Sequence, residues 1–146
     1  MNTISALYEY DFYAWLVKQA EFIRQGRLTE LDREHLAEEL ETMGRSEKRE
    51  LSSRLAVLMA HLLKWTLQPQ QRSSSWFDTI VEQRFQLLHV IQDSPSLKHE
   101  LPEKIAQAYS SAVSIAAKET KLPITFFPPT CPYSSEQLFD ENFLGE

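Results

Sequence analysis

The sequence holds one cysteine, Cys131, and the consequences of that are negative. No intramolecular disulfide can close, and no Cys/His cluster has the spacing of a zinc site. A reducing, cytoplasmic setting is the expectation. Long apolar runs are missing too. The longest, Leu55–Ala60, falls far short of the ~20 residues that span a bilayer, so no membrane is expected among the partners. Residues 1–8 are mixed, and Glu9 and Asp11 follow, which is not the basic-then-apolar order of a secretory leader. Glycine is scarce, with 3 in 146 residues, and neither a Gly-rich phosphate loop nor a G-x-S-x-G elbow occurs. Positive charge is in deficit. A net charge of −6 argues against nucleic acid as a partner, because phosphate neutralisation normally supplies that affinity. No histidine has a glutamate three residues before it, so the Glu-x-x-His signature of ferritin-type metal sites is absent. Nothing here implies a cofactor.

What remains is the composition of a globular protein: 42% hydrophobic and 25% charged, too apolar for a disordered chain. The length fits one domain. Helical periodicity runs through most of it, so the expected class is all-α. Four main helices in a bundle are predicted over residues 1–122, the second unusually long, and residues 123–146 are predicted to form a C-terminal aromatic arm.

The first helix is predicted from Ala6 or Asp11 to Gln25. Tyr8, Phe12, Trp15, Leu16, Phe22 and Ile23 share a face, and Gly26 stops it. Asp32 is a good N-cap for the second, which ends near Gln68 because Pro69 follows. Gly44 interrupts its sequence. Leu36, Leu40, Leu51, Leu55, Leu58 and Leu62 stay in phase across that glycine, which favours one helix over two. The alternative has Ser46 capping a separate second half. Ser75 with Asp78 resembles a capping box for a third helix, Trp76 to Gln92, with Phe77, Ile80, Val81, Leu87, Leu88 and Ile91 as its stripe. Pro102 suits the first turn of a fourth, which ends near Leu122 and has a small-residue core side of Ala108, Ala112 and Ala116. Beyond it, Phe126, Phe127, Tyr133, Phe139 and Phe143 alternate with Pro123, Pro128, Pro129 and Pro132. That mixture predicts an extended arm packed on the bundle, with a short helix from Ser134 or Ser135.

Polar residues on apolar stripes carry the functional reading. Arg84 lies mid-stripe in the third helix. Glu47, Arg54 and His61 recur every seven residues along one edge of the second. Gln19 and Glu119 sit on the apolar faces of the first and fourth. One polar cluster inside a bundle accounts for all of them. Its catalytic or anion-binding candidates are His61 as acid/base, Arg54 and Arg84 as anion holders, and Glu47. A buried ion pair with boundary residues at the edges accounts for them equally well. His35, Glu38 and Glu39 are weak metal-ligand candidates on an acidic turn that also reads as a solvated face. Lys64, Arg72 and Trp76 mix bases and indoles as a ligand or nucleic-acid site does, and as anchors at helix ends do.

The segments Tyr10–Trp15, Leu36–Glu41 through Met43–Glu47, His61–Trp65, Gln68-Pro69 to Ser75-Trp76, Thr79-Ile80 to Gln83-Arg84, Ser94–Leu97 and Phe127 to Tyr133 together resemble the bacterial, cyanobacteria-rich family catalogued as domain of unknown function twenty-nine. The resemblance covers nearly the whole chain. It implies an all-helical fold and a bacterial source, but no activity and no functional residue.

The expected function is therefore a non-enzymatic interaction or adaptor domain, acting through a protein partner or as a homodimer. The over-long helix, the acidic charge and the missing catalytic signatures support it. The alternatives are an enzyme or small-ligand binder using His61, Arg54, Arg84 and Glu47, and nucleic-acid binding through Lys64, Arg72 and Trp76.

Overall fold

A computed structural model describes residues 3–146. It contains six α-helices and, among the described residues, no strand: α1 (Thr3–Tyr10), α2 (Phe12–Arg24), α3 (Arg33–Leu67), α4 (Ser74–Asp93), α5 (Leu101–Thr120) and α6 (Ser135–Leu138). Short 3-10 turns connect several of them. The chain is all-α. No helix among the described residues is long and apolar enough to cross a membrane. The chain divides into two compact units, the first ending at Ser46 and the second running Glu47–Glu146.

In the first unit, of the two predicted starts of the first helix, Ala6 and Asp11, the second holds, and a separate helix α1 precedes it. Asp11 ends α1 and caps α2, where its Oδ1 accepts from the Ala14 N–H at 3.1 Å. A side-chain acceptor at that position satisfies an orphan donor of the new helix and makes a break cheap. At the other end Gly26, with φ +71, lets the Arg27 N–H reach back to the Phe22 carbonyl at 2.8 Å. Only glycine takes that left-handed turn without strain. Trp15 and Phe22 are buried, whereas Phe12, Leu16 and Ile23 of the same predicted stripe are exposed. The helix α3 is unbroken through Gly44, as the apolar phase requires.

The second unit buries Leu51, Leu55, Leu58 and Leu62 of α3 with Ile80, Leu87 and Ile91 of α4 and Ala108, Ala112 and Ala116 of α5. Phe127, Tyr133 and Leu138 complete this core, and the Tyr109 hydroxyl donates to the Pro128 carbonyl at 2.7 Å. Helix α4 starts two residues earlier than the predicted capping box. Its cap is Ser73, whose hydroxyl accepts from the Trp76 N–H at 3.2 Å. Its buried face is Ile80, Arg84, Leu87 and Ile91, while Phe77, Val81 and Leu88 of the predicted stripe are exposed. The apolar arc of α4 is broader than the seam its neighbours cover. The small helix α6 carries a full capping box between Ser134 and Gln137.

Candidate functional site

Among the described residues, no hydrogen bond or ion pair joins Glu47, Arg54, His61 and Arg84 to one another. Glu47 is exposed and forms no ion pair among the described residues. Arg54 is half-buried and bonds to Glu50 at 3.0 Å and Gln83 at 3.4 Å. The His61 Nδ1 lies 2.9 Å from the Val57 carbonyl, and burial pulls the imidazole below its usual pKa. Arg84 donates to the backbone carbonyls of Leu138 at 2.8 Å and Gln137 at 3.3 Å. Glu119 pairs with Lys64, and Gln19 belongs to the first unit. The reason is local. A polar side chain on a helix can be satisfied by the residue or carbonyl one turn back. Arg54 and His61 both are.

The loop candidates are also engaged internally. Lys64 is 4% exposed. Its Nζ sits 2.6 Å from Glu119 Oε1 and 4.6 Å above the Trp76 ring, so it faces inward and not toward a phosphate. Arg72 donates from Nε to the Trp65 carbonyl at 2.7 Å, lies over the Trp65 ring at 4.9 Å and approaches Glu146 at 3.5 Å.

The most connected polar centre is in the first unit, around Asp32 at the start of α3. Its side chain is 5% exposed. Its Oδ2 accepts from Trp15 Nε1 at 3.0 Å and Ser5 Oγ at 3.3 Å, and stands 2.7 Å from His35 Nδ1. The Asp32 N–H donates to Gln19 Oε1 at 2.9 Å. Burial alone raises the Asp32 pKa. The hydrogen bonds from His35 and Trp15 outweigh it and hold the carboxyl below its usual value. The same bond raises His35 above the usual imidazole value. Tyr8 stacks flat on the His35 ring, with centroids 3.9 Å apart, and donates its hydroxyl to Glu39. That bond to a carboxylate pushes the phenol up to about 12.

This centre revises the metal expectation. His35 Nδ1 is taken up by Asp32 and Glu39 Oε1 by Tyr8, while Glu38 is exposed. Among the described residues, no group of three or more His, Cys, Asp or Glu side chains is arranged to hold a metal. Chemically, an Asp–His contact through Nδ1 fixes the ring's orientation. The Gln19 Nε2 is buried and has no hydrogen-bond partner among the described residues, a donor beside the network. The sequence reading missed Tyr8, Trp15 and Ser5 as polar partners and took Asp32 for a cap alone. The visible signal was an Asp three residues before a His at a helix start, with a Trp on the preceding helix.

The family described as Domain of unknown function DUF29 matches residues 7–144. The chain belongs to this family. The match takes in both compact units, with Tyr8, Asp32 and His35 in the first and Lys64, Arg84 and Glu119 in the second. No curated protein and no solved structure matches the chain. Membership in DUF29 confirms the family resemblance read from the sequence and assigns no reaction.

Proposed function

We propose that this DUF29 chain is a cytoplasmic protein-interaction domain that works by binding, and that its first partner is a second copy of itself. The observation that carries the reading is the outer face of α2. Tyr13, Leu16, Val17 and Ile23 are 77%, 41%, 47% and 49% exposed, while Trp15 and Phe22 of the same helix are buried. A helix apolar on two faces has one face too many for its own unit. An exposed apolar stripe at helical spacing is the ordinary mark of a docking surface. The dispersal of the catalytic candidates supports binding over chemistry.

Size-exclusion chromatography with light scattering tests this. The wild-type chain is expected to dimerise with rising concentration. Val17→Asp, placed on the exposed face, is expected to return it to a monomer with its helicity intact. A wild-type chain that stays monomeric at every concentration overturns the reading. So does a dimer that Val17→Asp leaves unchanged.

A further inference from the structure

Arg84 stands apart from both the α2 face and the Asp32 network. It is 8% exposed. Its Nε and Nη2 donate to the Leu138 and Gln137 carbonyls, and Nη1 makes no hydrogen bond among the described residues. Carbonyl dipoles solvate a guanidinium but do not neutralise it. No described carboxylate lies within ion-pair distance of it. Asp140 acts on it only from farther away. Arg84 is therefore a nearly buried cation with no contacting counter-ion among the described residues.

The same side chain lines a groove of about 300 Å³. The walls include Phe77, Val81, Phe85 and Leu88 from α4, with Phe139 and Leu144 from the C-terminal segment. Glu141 also lines it and is exposed, so its charge is screened by solvent. Small-molecule sites are mostly apolar clefts with a few placed polar groups, and this volume falls at the lower end of their range.

We infer that this groove binds a small apolar monocarboxylate, a medium-chain acyl or aryl acid, with its tail along Phe77, Val81, Phe85 and Leu88 and its carboxylate paired to Arg84. Charge complementarity selects that class. A neutral hydrocarbon leaves the guanidinium unpaired. A phosphate or a dicarboxylate carries extra charge into apolar walls. A carboxylate meets the unused Nη1 edge in the geometry that makes Arg–carboxylate pairs strong.

Octanoate and 1-octanol share a tail and differ in the head group, so they separate charge pairing from apolar burial. Titration calorimetry on the full chain is expected to show octanoate binding at least about tenfold more tightly than octanol, the size of effect that charge-assisted hydrogen bonds give. The Arg84 Nε–Hε resonance is expected to move with octanoate and to stay with octanol. Val81→Trp fills the groove from an exposed position and leaves Arg84 in place, and it is expected to abolish octanoate binding with the thermal midpoint retained. Arg84→Met is expected to level the two ligands. Where loss of the bonds to Leu138 and Gln137 unfolds that variant, Val81→Trp carries the test alone. Equal affinity for the two compounds, no octanoate binding at millimolar concentration, or undiminished binding by Val81→Trp each overturns the inference. None of these outcomes bears on the α2 face, which lies in the other unit.

Discussion

Among the first unit's buried residues, Gln19 and Asp32 stand beside Trp15 and Phe22. The second unit's core is built on leucine, isoleucine and alanine from α3, α4 and α5, with Lys64 and Arg84 as its buried charges. The two units answer one problem differently. A short segment with few large apolar side chains cannot rely on buried area, so it closes around one carboxylate that collects an indole N–H, a hydroxyl and an imidazole. A longer segment buries enough hydrocarbon to tolerate charges that meet backbone carbonyls or a single partner. The first solution depends on direction and protonation, the second on volume. Perturbations of donor identity and of size should therefore trade places between the units.

The largest expected effects come from removing whole buried side chains. Trp15→Ala in the first unit is expected to lose about 3–5 kcal/mol, and Leu58→Ala in the second about 2–5 kcal/mol. Hydrogen exchange read unit by unit, with denaturant unfolding, measures both. These losses do not by themselves distinguish the units, because both residues are fully buried. The next pair does. Trp15→Phe keeps an aromatic ring, deletes the donor to Asp32 and removes part of the indole's buried volume. It is expected to lose about 1–3 kcal/mol for the hydrogen bond to a buried charged group, and more for the cavity left by the smaller ring. Leu58→Met, a swap of similar volume, is expected to lose under about 1.5 kcal/mol. If Trp15→Phe is harmless while Leu58→Met is severe, the contrast drawn between the units is wrong.

Protonation sharpens the contrast without any substitution. The His35 pKa is raised by its bond to Asp32, so its contribution is fully present below the unfolded value of about 6.5 and is lost as pH rises through the folded value. His61 is lowered by burial, so its contribution is present above about 6.5 and is lost as pH falls through the folded value. Mild acidification should therefore protect amides near His35 and expose those near His61. Asp32, held below its usual value, keeps its contribution until the pH drops below about 4. An NMR titration of the imidazole resonances checks the assignment. Midpoints displaced to the same side of 6.5 would contradict it.

How far the sequence carried the reading depends on what periodicity encodes. Phase alone placed Arg84 on a buried face, kept α3 continuous across Gly44 and set the alanine seam of α5. Phase names a face and not a partner. It could not say that Arg84 would meet the carbonyls of α6, that His61 would bond to Val57, or that Arg54 would pair with Glu50. The seven-residue column of Glu47, Arg54 and His61 also drifts by ~20° per heptad on a straight helix, and it runs from an exposed residue to half-buried ones. The sequence offers Lys64 both as a base at the end of the second helix and as part of a helix-end anchor, and its inward pairing with Glu119 favours the second. Lys64 lies between Leu63 and Trp65 at the end of a buried stretch, which was the better clue. Asp11 is one of the two helix starts the sequence offers, and the aromatic spacing around it, which fits one helix as well as two, cannot decide between them.

The smallest effect tests the element that passes from one unit's sequence into the other's. Gly44 lies inside α3, is exposed, and has nothing within 4 Å of where a Cβ would stand. Its backbone is not in the left-handed region, so alanine fits without strain. A glycine in a helix interior is less favourable than alanine by about 1 kcal/mol, through the extra freedom it loses on folding. Gly44→Ala is therefore expected to raise the unfolding free energy by that amount, seen as a higher unfolding midpoint, and to leave the octanoate titration unchanged. A fall in the midpoint would mean that residue 44 leaves the helical region in solution. The chain would then behave as two helices meeting near Ser46, the alternative that the leucine phase weighs against.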